Sequence, residues 1–278
     1  MVGLTPLPCP AAGPTVGRTA LKDDAGRPRL PSRTHPDDPF DGTTLNRQLL
    51  AIPAVALMLL AASCGFFKDA GPKTTQDRTI QGATAVQLLT SGDLTVTVGQ
   101  QEALSVTAGA NQLVGLTSQV IDGTLILDNK STDTYTGDIS YALTVPPLVG
   151  VQLSGSGSVT GVGVLTGDAQ VTGSGSGAAT LTGLALSSVV VDLSGSGDVQ
   201  LAGQARTSRV TLTGSGRYDG SALVTEQTDI DTSGSGEASV NVTARLGATA
   251  SGSGTITYTG NPLDVTKQSS GSGGIAPG

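Results

Sequence analysis

Asp192 and Asp231 fall at equivalent places in a repeated stretch of this 278-residue chain. A pair of carboxylates is what glycoside hydrolysis requires, one as acid and the other as base or nucleophile. The two are two repeats apart, about 10 Å if the repeats stack as paired strands. That is near the upper end for an inverting glycosidase, but Thr211 stands between them and no cleft is evident. A second set, Asp198, Arg217 and Glu237, occupies one position of three successive repeats. Stacking would put the arginine between two carboxylates, as a ligand-contact patch or as a charge ladder that favours correct register. Exposed pairs contribute only about 0–1 kcal/mol each, which favours the ladder. Gly-x-Gly-x-Asp repeats bind calcium in some β-rolls. Here an aspartate follows the glycines only at Asp198, against Ser158, Ala178, Arg217, Glu237 and Thr255, so no calcium array is expected. No metal and no cofactor is expected.

The remaining chemistries hang on the amino-terminal segment, which holds the single histidine, His35, and the cysteines Cys9 and Cys64. Leu49 to Ser63 (LLAIPAVALMLLAAS) is an uncharged apolar run of 15 residues, too short for the roughly 20 that a membrane span needs. Arg47 precedes it, and Ala61, Ala62 and Ser63 close it before Cys64. This is the layout of a signal peptide over 46–63. A cysteine directly after such a run resembles the lipobox of bacterial lipoproteins, with Ala61 where leucine is commonest. The resemblance implies acylation of Cys64 and a membrane anchor, and more than one acyl chain gives stable anchoring. Cleavage before Cys64 would remove His35 and Cys9. Ser–His–Asp and Cys–His mechanisms then lack their base, and zinc its usual ligands. Residues 1–45 are proline- and arginine-rich and read as disordered or as wrongly assigned upstream sequence, with translation starting near Leu45. Residues 64–76 read as a tether.

Charge narrows the partners. Residues 1–63 hold six basic and five acidic residues, whereas 64–278 hold nine and seventeen, a net of −8. An acidic body disfavours phosphate backbones, so nucleic acid is not an expected partner.

The elements that must position these residues come from a repeat. Seven Ser/Thr-Gly-Ser-Gly tetrads have first glycines at Gly155, Gly175, Gly195, Gly214, Gly234, Gly252 and Gly271, spaced 18 to 20 residues apart. Such a string is a linker unless its flanks keep a pattern. They do. Val159, Ala179, Val199, Tyr218, Ala238 and Ile256 form one apolar column, and Val151, Val171, Val191, Val210, Ile230 and Ala248 another. Between the apolar columns run polar ones, including Gln152, Thr172, Asp192, Thr211, Asp231 and Thr249. This period-two alternation means strands with an inside and an outside. Each repeat is then a coil of a parallel β-solenoid over 151–265, turning at corners built on Gly155 and Gly157, Gly175 and Gly177, Gly195 and Gly197, Gly214 and Gly216, Gly234 and Gly236, and Gly252 and Gly254. Two glycines per corner imply a close approach that a Cβ would obstruct.

Residues 77–150 are β-rich without the period. Candidate strands are 93–98, 104–108, 117–121, 124–127 and 139–145, separated by Gly99, Asp122-Gly123, Asn129 and Pro146-Pro147. This section is expected to cap the solenoid, whose exposed strand edges would otherwise invite aggregation. Residues 266–278 are expected to form a flexible tail.

Three further pieces carry a family resemblance: the strand Leu143 to Leu148 of the form aliphatic-Thr-Val-Pro-x-Leu, the stretch Val151 to Gly157, and Asp122-Gly123-Thr124-Leu125-Ile126. Together with the repeated corners, the chain over about 77–265 resembles the putative auto-transporter adhesin "head GIN" domain family of bacterial envelope proteins. The Gly-Ile-Asn of that name is absent, since Ala276 follows Gly274-Ile275. The resemblance implies a right-handed β-solenoid in an extracytoplasmic location and brings no catalytic or binding residues. Two functions follow as expectations. One is a non-catalytic, lipid-anchored envelope module for adhesion, scaffolding or envelope interaction, with an unnamed protein or glycan partner. The other is a glycan-binding or carbohydrate-active β-helix.

Overall fold

The computed structural model describes residues 67–278. The expected upstream segment 1–45, the signal peptide 46–63 and the acylation site Cys64 lie outside the described residues. The described chain is the expected all-β solenoid of stacked parallel coils of about 20 residues.

The regular part runs through β10 (Leu148–Leu153), β11 (Ser158–Val162), β12 (Leu165–Gly173), β13 (Ala178–Leu193), β14 (Asp198–Leu212), β15 (Arg217–Thr232), β16 (Glu237–Gly252), β17 (Thr255–Thr259), β18 (Asp264–Gly271) and β19 (Gly274–Pro277). Strands as long as β13 to β16 cannot stay straight across a narrow coil. In β13 and β15 the inward residues change phase twice: in β13 they are Ala179 and Leu181, then Leu184 and Leu186, then Val189, Val191 and Leu193. Each change turns the chain onto a new wall, so a coil has three. In β13 the first turn falls beside Gly183, whose φ of +64° is a conformation that other residues adopt at a cost. The pairing is in register on the two walls that flank the Gly-Ser-Gly corner, and slips occur on the short third wall or at its ends. Repeat lengths of 18 to 20 are thereby absorbed where no corner is disturbed.

The corners stack backbone on backbone. Ser196 N donates to Gly175 O, Ser215 N to Gly195 O and Ser235 N to Gly214 O, each at 3.1 Å. A Cβ on Gly195 would overlap Gly175 O, and the other tetrad glycines from Gly155 to Gly254 meet the corner beneath them in the same way. The glycines are therefore required by proximity. Inside, the columns of Val151 and Val159 are buried throughout and belong to one continuous core. A buried Val or Leu contributes about 1.5–3 kcal/mol, which outweighs the conformational cost of two glycines.

The amino-terminal section comprises β1 (Phe67–Asp69), β2 (Lys73–Arg78), β3 (Ala85–Leu88), β4 (Asp93–Val98), β5 (Ala103–Gly109), a single helical turn α1 (Ala110–Leu113), β6 (Leu116–Ile121), β7 (Thr124–Asn129), β8 (Thr134–Thr136) and β9 (Ser140–Val145). Its order in space is not its order in sequence. β3 and β4 pair in parallel with β10 and β11, and β7 and β9 pair in parallel on the far side of β3 and β4. The later coil is thus the outer one. Antiparallel β6 covers β7, and β5 covers β9 with β2 beyond it. β2 is protected as an edge by Lys73, Asp77 and Arg78, and Arg78 Nη1 donates to Ser118 Oγ at 2.9 Å to tie it to β6.

Two expectations need correction. The segment 266–278 is not a free tail: β18 pairs with β16 from Asp264 to Gly271, and β19 pairs with β17 from Gly274 to Pro277. The Gly271 tetrad stacks like the others, with Ser272 N donating to Gly252 O at 2.9 Å, so one more coil forms although its strands are almost wholly exposed. The tether over 64–76 likewise ends early. β1 pairs with β8 and β2 with β5, and backbone hydrogen bonds satisfied in this way do not leave a loose chain.

Candidate functional site

The wall preceding the corner carries three outward columns. One contains Thr172, Asp192, Thr211, Asp231, Thr249 and Gln268 in continuous register. Asp192 and Asp231 therefore share a face, two coil spacings or about 10 Å apart, with Thr211 between them. The structure aligns the two carboxylates and does not bring them together.

The neighbouring column reads Val190, Arg209, Asp229, Gly247 and Thr266. Gly247 interrupts a run of side chains, and a Cβ there would lie 2.5 Å from Asp229 Oδ1. The gap is a depression of about 370 Å³ lined by Arg209, Asp229, Asp231, Arg245, Thr249 and Gln268 among others. Arg245 Nε lies 4.0 Å from Asp264 Oδ2, too long for a hydrogen bond. Guanidinium donors and carboxylate acceptors thus border one shallow hollow. The arrangement suits a hydroxyl-rich or mixed-charge surface better than proton transfer, which needs two groups converging on one atom.

Sequence reading followed the columns next to the tetrads and missed Arg209, Asp229 and Arg245. Asp229 lies two residues before Asp231, hence on the same face, and that spacing was the available signal. A second hollow of about 420 Å³ lies on the short wall, with Leu186 and Ala205 at its base and Arg206 and Glu226 at its rim.

The ladder residues stack as expected, Asp198 beside Arg217 and Arg217 beside Glu237. Arg217 Nη2 meets Glu237 Oε2 at 2.7 Å, while Asp198 makes no ion pair among the described residues. Both paired side chains are more than half exposed, at 62% and 57%, so the contact is a weak one.

Other charged contacts lie in the cap. Lys68 Nζ donates to Asp133 Oδ2 at 2.8 Å, which holds the ammonium above its usual range and the carboxyl below its own. The Lys130 ammonium against Asp128 also lowers that carboxyl. In the core, burial pushes the phenols of Tyr141 and Tyr218 up, so both stay protonated. Among the described residues no group of three or more His, Cys, Asp or Glu could hold a metal ion, and no helix is long and apolar enough to cross a membrane.

Residues 83–262 match the family described as putative auto-transporter adhesin, head GIN domain. The chain belongs to this family. Membership places it among adhesin-like proteins associated with the cell envelope. Solved structures share the fold. A putative adhesin from Bacteroides fragilis is 23% identical with a TM-score of 0.69, covering 74% of this chain and 97% of its own. A putative lipid binding protein from Parabacteroides distasonis is 22% identical with a TM-score of 0.59, covering 75% and 97%. A putative adhesin from the same organism is 19% identical at 0.59, covering 76% and 99%. No curated protein matches the chain.

Proposed function

We propose that this protein is a non-catalytic cell-envelope module, anchored by acylation of Cys64, that presents the wall before the corner to a protein or glycan partner. The observation that carries the reading is that wall's continuous outward grid of Thr, Gln, Asp and Arg, held in register over successive coils. A rigid backbone ladder supports each donor and acceptor, so little backbone entropy is lost on contact. Family membership supports the envelope location, and the apolar run before Cys64 supports the anchor.

A screen of residues 66–278 against glycans and envelope proteins tests the reading. Specific binding weakened by Arg209→Ala and Asp229→Ala is the expected result. Binding that ignores every change on this wall would refute the assignment. Intact mass of the membrane-extracted protein tests acylation at Cys64 separately.

A second reading, a glycan-binding or carbohydrate-active β-helix, draws on Asp192 and Asp231 sharing a face. Release of reducing ends from a polysaccharide, lost in Asp192→Ala or Asp231→Ala, would favour it.

A further inference from the structure

Only Gly65 and Phe66 separate Cys64 from the first strand. That strand is not a loose arm. β1 pairs with β8 at Phe67↔Thr134, Lys68↔Tyr135 and Asp69↔Thr136, and the Lys68–Asp133 ion pair closes the same contact at 2.8 Å. The chain is then gripped by the helical turn: Asn111 N donates to Ala70 O at 2.9 Å, and Asn111 Nδ2 to Asp69 O at 3.1 Å. Ala70 is buried, and Gly109 packs so closely against it that a Cβ would overlap Ala70. From residue 67 onward the chain is therefore part of the folded cap.

An extended residue covers at most about 3.6 Å, so the three steps from Cys64 to Phe67 reach no further than about 11 Å. That is little more than one headgroup region, about 5–8 Å deep on each side of the bilayer. With Cys64 acylated, the cap has only a few ångströms of slack with which to leave the bilayer surface.

We propose that the amino-terminal cap is the membrane-facing surface of this protein, seated on the lipid headgroups, and that the coil of β18 and β19 is the end directed away. The proposal rests on the lipid-anchored reading and deepens it. Exposed apolar residues do not decide the orientation, since Val114 on the cap is 88% exposed and Leu263 at the far end 92%. The cap's charge does not form a basic patch, since Lys68, Lys73 and Lys130 are interspersed with Asp69, Asp122 and Asp133. The short tether, and no attraction to anionic lipid, holds the contact.

The test uses the full chain, expressed in a bacterial host, extracted in detergent and reconstituted into phosphatidylethanolamine–phosphatidylglycerol vesicles. Val114→Cys and Leu263→Cys, both at highly exposed positions, carry a fluorophore in separate preparations. Headgroup spin-labelled lipid should quench the Val114 probe severalfold more than the Leu263 probe. Inserting a Gly-Ser linker of about 20 residues between Phe66 and Phe67, with a reach of about 25 Å, should erase most of that difference while the protein stays vesicle-bound. Equal quenching of the two probes on vesicle-bound protein would overturn the proposal, as would a difference unchanged by the linker. A chain that lacks acyl mass on Cys64 and fails to float with vesicles would instead overturn the anchoring reading on which it rests.

Discussion

The cap and the regular coils share one inward pleat but make their corners differently. In the regular coils the corner is the four residues Ser/Thr-Gly-Ser-Gly, and each turn rests on the carbonyls of the one before. In the outermost coil the link from β7 to β9 is ten residues long and carries β8, and side chains shape it. Asn129 Oδ1 accepts from Ser131 N, and Ser131 Oγ accepts from Asp133 N. The regular corner is specified by what is missing from its side chains, and the cap corner by what its side chains bond. Glycine is thus a requirement of close stacking and not of the solenoid as such.

The sharpest way to break this comparison is to add one carbon to a regular corner. Gly195→Ala should cost about 4 kcal/mol or more, or prevent folding, because the backbone on which it rests is itself paired. Gly167→Ala, at φ +63° with open space around it, should cost only about 1–2 kcal/mol when both variants are compared by urea titration. Similar losses at the two sites would mean that glycine serves conformation and not proximity.

Next in size is the shared pleat. Leu127→Ala in the cap and Leu201→Ala in the regular coils, both fully buried, should each cost about 2–5 kcal/mol. A much smaller loss at Leu127 would show that the cap is not part of the same core.

A subtler expectation concerns Tyr218 and Gly220, where neighbouring coils carry an aliphatic pair such as Val199 and Leu201. A Cβ on Gly220 would stand 2.6 Å from the tyrosine oxygen, so the small residue makes room for the large one. Gly220→Leu alone should therefore destabilise. Tyr218→Val with Gly220→Leu should recover about 1–3 kcal/mol relative to the sum of the single changes. Additive single and double mutants would sink the coupling.

The smallest effects are electrostatic. Arg217→Ala should change stability by no more than about 1 kcal/mol, since the pair with Glu237 is exposed. At the β1–β8 contact, Asp133 is held below its unfolded value, so its contribution is present above that value and lost as pH falls through the folded one. Lys68 is held above its unfolded value, so its contribution is present below that value and lost as pH rises through the folded one. Hydrogen exchange at Lys68 and Asp69, corrected for its intrinsic pH dependence, should be slowest between the carboxylate and ammonium ranges. A flat corrected profile would remove the ion pair from any structural role.

Much of the fold was legible because alternation and spacing are local. The expected strand 93–98 coincides with β4, and 117–121 with all but the first residue of β6. The permuted order of the cap coils was not legible, because pairing between distant strands leaves no periodic trace. Yet one clue was present: Val86-Gln87-Leu88 repeats as Val151-Gln152-Leu153, and the two stretches pair in register. Thr90-Ser91-Gly92 after the first copy is a corner in the same stack, its Gly92 O accepting from Ser158 N at 3.2 Å. The tail was misread because its polar composition suggests solvent, whereas its main chain is satisfied by β16 and β17. At the candidate site, the aspartate column was visible and the hollow beside it was not, since that hollow depends on four coils lying side by side.

The uniform corner has one more consequence. Every coil offers its successor the same ledge and asks the same of its predecessor, so the coils are interchangeable parts. Excising one whole repeat, from one tetrad to the next, should leave each remaining joint intact and lower the summit by about 4.8 Å. Height is therefore a quantity that duplication or loss of a repeat can adjust in steps, without redesign of the base.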